Sequence, residues 1–260
     1  MAKLPKKFTD RVAAKLRGYQ AIVVSHRSRD VSEADTVTVV KDVLADVFGY
    51  DKYAELTSEQ QIRGTFCDLA VQIDGKVRFL IEVKSAGSTL TEGHIRQAVN
   101  YGSHHGIEWI ILTNAVEWRF YRVTFAQPIS WDEVTRLNLP DLNGRNQGDL
   151  ERMFLLAREG LPVDAISAFH QHQQMVNQYT VAQLVQSPPA LAVIRRELRR
   201  LFPELKVDDS DLADILANGV LKREVVDGDK VEEAKVRIKK AGQRLARADK
   251  KAASTSTSPA

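Results

Sequence analysis

Three charged residues near the middle of the chain have the types and spacing of a metal-dependent hydrolytic site. Residues 79–87 read FLIEVKSAG, in which Glu82 and Lys84 interrupt apolar residues typical of a half-buried or central strand. Because they are two apart, both side chains leave a strand on the same face. Thirteen residues separate Asp68 from Glu82, and Asp74-Gly75 between them indicates a β-hairpin. The hairpin brings all three residues together.

Two carboxylates on a sheet form a hard-oxygen site for Mg²⁺, with Mn²⁺ as an alternative ion. Such a metal lowers the pKa of a bound water and stabilises a phosphoryl transition state. A lysine beside it can orient the water or meet charge that develops on phosphate. Taken separately, Asp68 could be a strand-end residue, and Glu82 and Lys84 a same-face ion pair on a solvated sheet. Taken together, the three favour a metal site.

The register of the hairpin decides whether Asp68 and Glu82 meet. A strict two-residue turn at Asp74-Gly75 pairs Ile73 with Lys76 and sets Asp68 opposite Ile81. A three-residue loop or a bulge sets Asp68 opposite Glu82 instead. The sequence therefore predicts an irregularity in this hairpin.

Hydrophobic periodicity gives the order α-β-β-β-α-β-β up to Pro128, an α/β unit with a mixed sheet, followed by a mostly helical region. The predicted domains are a helical extension at 1–30, a core at 31–128, a helical domain at 129–246 and a disordered tail at 247–260. Capping boxes are expected at Ser32 with Asp35 and at Thr89 with Glu92. Residues 221–231 suggest a short strand or hairpin.

Composition fits a globular protein of 260 residues, with 43% hydrophobic and 27% charged residues and a net charge of +3. The apolar runs are too short for a membrane span, and no secretory signal is visible. The only cysteine, Cys67, excludes an internal disulfide, so we expect a cytoplasmic protein. Two basic stretches, 194–200 and 235–251, fit either solvated helix faces or nucleic-acid contact.

The string Asp68, thirteen residues, Glu82-Val83-Lys84 resembles the core motif of the PD-(D/E)xK nucleases. Glu33 matches an acidic residue that many of them carry on the preceding helix. Gln97 and Tyr101 match the QxxxY motif of one nuclease branch. Residues 112–123, LTNAVEWRFYRV, resemble a segment of the N-terminal nuclease domain of type I restriction enzyme R subunits and of predicted stand-alone type IV restriction endonucleases.

The resemblance covers roughly residues 32–125 and implies a restriction-endonuclease-like core. Two positions depart from the family pattern. Cys67 replaces the proline that names the family, and Ala115 replaces a turn glycine after Thr113-Asn114, so we expect that turn to differ. Neither change removes a catalytic group.

What the resemblance implies is a Mg²⁺-dependent DNA endonuclease of restriction or defence type. Glu33, Asp68 and Glu82 would hold the metal, and Lys84 would act on the attacking water and the scissile phosphate. Gln97 and Tyr101 would complete the catalytic set. Glu33 could instead be a favourable charge in the first turn of a helix, and Gln97 and Tyr101 could border its apolar stripe.

The expected partners are DNA and either a second copy of the chain or a specificity subunit. No membrane partner is expected, and because the chain has no G-x-x-x-x-G-K-[ST] loop, no nucleoside triphosphate is expected. The alternative is a catalytically silent nuclease fold that binds nucleic acid or serves as a subunit of a complex. A regulator that uses residues 221–231 as a wing is a third class.

Overall fold

The structure, a computed structural model, describes residues 4–29, 31–62, 65–204 and 206–255. Six strands form one sheet in which spatial order follows chain order. They are β1 (Leu56–Ile62), β2 (Thr65–Ile73), β3 (Lys76–Val83), β4 (Trp109–Thr113), β5 (Glu117–Thr124) and β6 (Ser130–Asn138). β3 and β4 run parallel and the other neighbours antiparallel. The mixed α/β class predicted from the sequence is confirmed.

The parallel pair follows from its connection, since the helix α3 (Glu92–His105) carries the chain from the end of β3 back to the start of β4. α3 covers one face of the sheet, where Ala70 and Leu80 pack with Ile95 and Val99. The strand residues alternate between the two faces, so their neighbours Leu69 and Ile81 enter the larger core on the other side.

Two helices contribute to the larger core on that other face. They are α1 (Lys6–Ser28) and α2 (Glu33–Asp46). Phe8 and Val12 of α1 are fully buried in the same core cluster as Val40 and Leu44 of α2. The N-terminal helix predicted as an extension at 1–30 therefore belongs to the core of the first unit, where its apolar stripe is buried and packs with α2.

β6 corrects the prediction that residues beyond Pro128 are mostly helical. It pairs with β5 along its whole length, and the register shifts by one residue between Phe120 and Tyr121, which leaves Val134 as the extra residue. Val134 and Leu137 are both buried and lie three apart. The bulge thus gives this strand the apolar spacing of a helix, which explains the error.

Contacts divide the chain into two compact units, of which the first extends to Phe169 and the second begins at His170. The division lies beyond the sequence-based boundary at 128/129, because β6 and the helix α4 (Gln147–Phe154) bury Leu137, Leu150 and Met153 in the core of the first unit.

The region after β6 contains four further helices that lead to a long last one. They are α5 (Ala165–Met175), α6 (Gln178–Val185), α7 (Pro188–Leu201), α8 (Asp209–Ile215) and α9 (Asp229–Thr255). The helical C-terminal region is confirmed. The strand or hairpin predicted at 221–231 is wrong, since a 3-10 turn at Arg223–Val225 leads into α9. α9 also continues past residue 247, where a disordered tail was predicted, and residues 256–260 lie outside the described chain.

None of the described helices combines the length and the apolar character needed to cross a bilayer.

Candidate active site

The hairpin of β2 and β3 contains the irregularity that the sequence predicts. Ile73 pairs with Lys76 across the Asp74-Gly75 turn, and Asp74 and Gly75 both have positive φ. The register then shifts, because Gln72 faces Val77 but Val71 faces Phe79, which leaves Arg78 as a bulge. Beyond the bulge Leu69 faces Ile81. One step further this register sets Asp68 opposite Glu82.

Asp68 is held against β3 by a backbone hydrogen bond. The N–H of Val83 donates to Oδ2 of Asp68 at 2.7 Å, so the carboxylate lies beside the peptide that joins Glu82 to Lys84. Asp68 is half-buried. Its negative charge acts on both Glu82 and Lys84. The structure therefore brings the three residues of the predicted motif together.

Lys84 lies where β3 ends. Its backbone N–H donates to the carbonyl of Thr113 at 2.8 Å, which continues the parallel pairing with β4. Its Nζ is 2.8 Å from Oε1 of Glu82 and 3.5 Å from Oε2 of Glu33. Glu82 is almost fully buried, at 2% exposure, whereas half of the Glu33 side chain faces solvent. One ammonium group thus joins a carboxylate of the sheet to a carboxylate of α2.

Two hydrogen bonds hold the start of α2 beside the site, within reach of Lys84 for the side chain of Glu33. Ser32 caps the helix by accepting a hydrogen bond from the N–H of Asp35, which confirms the first predicted cap. The buried hydroxyl of Thr36 accepts one from the N–H of Ala86, two residues after Lys84. Sequence reasoning missed Thr36, since a threonine inside a helix gives no signal for a long-range contact.

The electrostatics of the site follow from its burial and its excess of acids. Burial raises the pKa of Glu82 to about 7, with Asp68 and Glu33 adding to the rise and Lys84 opposing it. For Lys84, burial lowers the pKa, but the hydrogen bond and charge of Glu82 and the charges of Glu33 and Asp68 outweigh it, so the net shift is upward. Burial also raises the pKa of the Cys67 thiol to about 12.

These residues fit a small divalent cation through carboxylate oxygens. Asp68 and Glu82 are the two carboxylates that a Mg²⁺ site needs when waters and substrate complete the shell. When ionised, the carboxylates of Glu33, Asp68 and Glu82 exceed the single charge of Lys84 by two. No group of three or more histidine, cysteine, aspartate or glutamate side chains is arranged for a metal ion in the described part of the chain. The fit therefore rests on two protein ligands.

Gln97 and Tyr101 lie on α3, but they differ in environment. Gln97 is exposed, whereas Tyr101 is 1% exposed and belongs to the core cluster beneath α3. The Tyr101 ring lies 5.1 Å from the ring of His105. Burial raises the pKa of Tyr101, and so does the nearby Cys67. Tyr101 packs in this core, as the alternative for the pair expects, and a catalytic role for either residue stays a prediction.

The N-terminal cap of α3 is at a different residue from the predicted one. Thr91, and not Thr89, precedes the helix, and its backbone N–H donates to Nδ1 of His94 at 3.3 Å. The cap thus lies two residues closer to the exposed Gln97 than the sequence indicated.

The segment after β4 uses its polar groups to build its own turn. Oδ1 of Asn114 accepts hydrogen bonds from the N–H groups of Val116 and Glu117, and the indole of Trp118 donates to the carbonyl of Ala115. Ala115 has a φ of 67°, the left-handed conformation that usually favours glycine. Asn114 also donates to the carbonyl of Ser88, which ties this turn to the segment that follows β3.

No protein-family model matches the chain, and comparison with curated proteins and with solved structures gave no match.

Proposed function

We propose that this chain is a Mg²⁺-dependent DNA endonuclease of restriction or defence type, which hydrolyses phosphodiester bonds. The single observation that carries the proposal is the buried Glu82, whose carboxylate contacts Lys84 at 2.8 Å beside the carboxylate of Asp68. A buried acid in a cluster of charged groups, with a pKa raised to about 7 by burial and by acidic neighbours, is a candidate functional residue.

The order of elements supports the same proposal. A helix, three antiparallel strands, a helix and a parallel strand follow one another, which is the order expected from the resemblance to PD-(D/E)xK nucleases. Asp68 lies on the second strand, and Glu82 and Lys84 lie at the end of the third and just after it. Glu33 reaches the group from the first turn of α2.

The roles of the residues follow from their donor and acceptor atoms. Asp68 and Glu82 are acceptors and would hold the metal, and Glu33 would bind it through a water or complete its charge balance. The bound metal would supply Lewis-acid activation of water and charge stabilisation on phosphate. Lys84 carries only donors, so it positions the attacking water and meets the charge that develops on the scissile phosphate.

The test is incubation of the purified protein with modified and unmodified plasmid DNA, with Mg²⁺ and with chelator. The variant is Lys84→Ala, and the matched control is Lys76→Ala, an exposed lysine at the other end of the same strand. We expect wild type and Lys76→Ala to cut in Mg²⁺, and Lys84→Ala to be inactive. Cleavage that survives both the chelator and Lys84→Ala would contradict the proposal.

A second candidate is a catalytically silent nuclease fold that binds nucleic acid or serves in a complex. The observation in its favour is that the described residues include no group of three metal-ligating side chains, while Lys84 already neutralises part of the carboxylate charge. It predicts DNA binding in chelator, no cleavage in Mg²⁺ or Mn²⁺, and no change in Mg²⁺ affinity on Asp68→Asn.

A further inference from the structure

The last described helix, α9, becomes fully exposed after nearly three turns. Val231 and Ala234 of α9 are buried, and α9 packs on α6. Arg237 and Ile238 are half-buried, and every residue from Lys239 to Ala248 is exposed. Packing normally supplies most of the stability of a helix in a protein. This part of α9 therefore lacks, within the described chain, the contacts that would explain its presence.

The part of α9 from Ala234 onward has an unusual charge. Residues 234–248 contain six lysines and arginines and no acidic residue. Lys235 pairs with Glu232 and Arg237 with Glu233, so these two cations are partly neutralised. The other four form no ion pair with a described side chain, and we call them the basic set: Lys239, Lys240, Arg244 and Arg247.

The basic set occupies one side of the helix. At 3.6 residues per turn, its four members fall within an arc of about 140°. Ala241, Leu245 and Ala248 lie on the opposite side. From Lys240 to Arg247 the helix rises about 10 Å, close to the length of three base pairs of DNA. A cationic face of this kind suits a regular row of negative charges.

We propose that the exposed part of α9 is a DNA-binding arm, whose basic set contacts the phosphate backbone without reading the sequence. The arm goes beyond the proposed endonuclease, because it requires neither the metal site nor cleavage. Each contact releases condensed counterions from the DNA, so the binding it supplies is strongly dependent on salt. Such contacts position a protein on DNA and leave specificity to other parts of the molecule.

Two other partners fit the helix less well. Helices that lie in a membrane surface insert large apolar residues such as Trp, Phe and Leu, whereas α9 has no aromatic residue and presents mainly alanines opposite its basic set. A second copy of the same basic face would meet like charges at close range, which is unfavourable.

The test compares two variants of the full chain with equal loss of charge. One carries Lys239→Ala, Lys240→Ala, Arg244→Ala and Arg247→Ala, and alanine keeps the helix favourable. The control replaces four exposed basic residues of α1 by alanine: Lys6, Lys7, Lys15 and Arg17. Binding to a short DNA duplex is measured in chelator over a range of salt, so that loss of catalysis cannot affect the result.

We expect the α9 variant to lose at least about tenfold in affinity at physiological salt. The slope of log K against log salt should become shallower by about 3.6, since each phosphate contact contributes about 0.9. The α1 control should keep most of the wild-type affinity and slope. Equal losses in the two variants, or an α9 variant that binds like wild type, would overturn the proposal. Binding of wild type to phosphatidylserine vesicles but not to DNA would also overturn it.

Discussion

Two clusters of charge in the first unit differ in how completely they are balanced. In one, Arg11 of α1 donates to both carboxylate oxygens of Glu159 at 2.7 Å and to the carbonyls of Val47 and Phe48. The guanidinium of Arg11 thus pairs with one carboxylate, and its other hydrogen bonds go to backbone carbonyls at the C-terminal end of α2. In the other, Lys84 contacts both Glu82 and Glu33, and the charge of the neighbouring Asp68 also acts on it.

The pKa values of the two carboxylates move in opposite directions. Burial raises the pKa of Glu159, but the hydrogen bonds and charge of Arg11 outweigh it, so the net pKa lies below its usual value. Burial raises the pKa of Glu82 to about 7 despite Lys84. A balanced pair stabilises the fold. Neighbouring carboxylates such as Asp68 and Glu33 disfavour the charge of Glu82, and a bound cation would relieve this repulsion.

The largest effect should come from Lys84→Ala, and it separates metal binding from catalysis. Cleavage should fall at least about 100-fold, because the variant removes a donor that acts mainly in the transition state. Mg²⁺ affinity should stay the same or rise, since a positive charge beside two carboxylates is lost. Calorimetry with Mg²⁺ and plasmid cleavage measure the two properties.

Asp68→Asn sharpens this result, because it should weaken Mg²⁺ binding and cleavage together. Asp74→Asn in the same hairpin is its control, since asparagine tolerates the positive φ of that turn. Normal cleavage by Lys84→Ala, in a protein whose wild type cuts DNA, would show that Lys84 is only an ion-pair partner.

Next in size is the effect of Arg11→Ala on stability. Removing the guanidinium leaves a mostly buried carboxylate and two carbonyls without their donor, which should lower the free energy of unfolding by about 2–3 kcal/mol. Mg²⁺ affinity should not change. Urea denaturation measures the first quantity, and Arg17→Ala on the exposed side of α1 is the control. A variant with normal stability but weakened Mg²⁺ binding would show that the two clusters are not separate in function.

A smaller effect is expected in the pH dependence of stability in chelator. The pKa of Glu82 is raised in the folded state, so that state binds more protons than the unfolded chain between about pH 4.5 and 7. Its contribution to stability is therefore present at low pH and lost as pH rises through that window, at up to about 1.4 kcal/mol per pH unit.

Glu82→Gln should remove this slope, whereas Glu92→Gln, at the exposed start of α3, should not. Thermal unfolding from pH 5 to 8 measures the difference. Identical pH profiles for wild type and Glu82→Gln would show that Glu82 does not titrate in this range. Mg²⁺ should stabilise wild type more at pH 8 than at pH 5.5, since the proton and the metal compete for the same carboxylate.

The smallest effect should be that of Gln97→Ala. Gln97 is exposed, so the free energy of unfolding should change by no more than about 0.5 kcal/mol. If Gln97 belongs to the catalytic set, cleavage should still fall several-fold, whereas Asn100→Ala, one turn further along α3, should leave cleavage unchanged. Equal cleavage by the two variants would show that Gln97 has no catalytic role and that the catalytic residues lie on the sheet and α2.

Local patterns in the sequence were sufficient for the strands that carry the site. β2 carries Asp68 into the predicted hairpin, and the Asp74-Gly75 turn forms where it was expected. Asp68, Glu82 and Lys84 lie together as predicted. The contact of Thr36 with Ala86 could not be predicted, because it joins residues fifty positions apart that no short-range pattern connects.

In two other segments, the local sequence pattern predicted the wrong secondary structure. The bulge at Val134 gave β6 a helix-like spacing of apolar residues. Residues 221–231 combine β-branched residues with Asp227-Gly228, which favours a hairpin, yet Gly228 instead precedes the first turn of α9.

Because of the bulge at Arg78, the site depends on which residues of β2 and β3 face each other, and not on the length of the hairpin. In an antiparallel pair, an insertion or deletion of one residue turns every later side chain to the other face, whereas a change of two restores the original faces. A hairpin without the bulge, in which Arg78 paired with Val71, would set Asp68 opposite Ile81 and separate it from Glu82. Addition of one residue to each strand at the Asp74-Gly75 tip would leave the pair intact. The tip of this hairpin can therefore change in length without separating Asp68 from Glu82, provided that both strands change by the same number of residues.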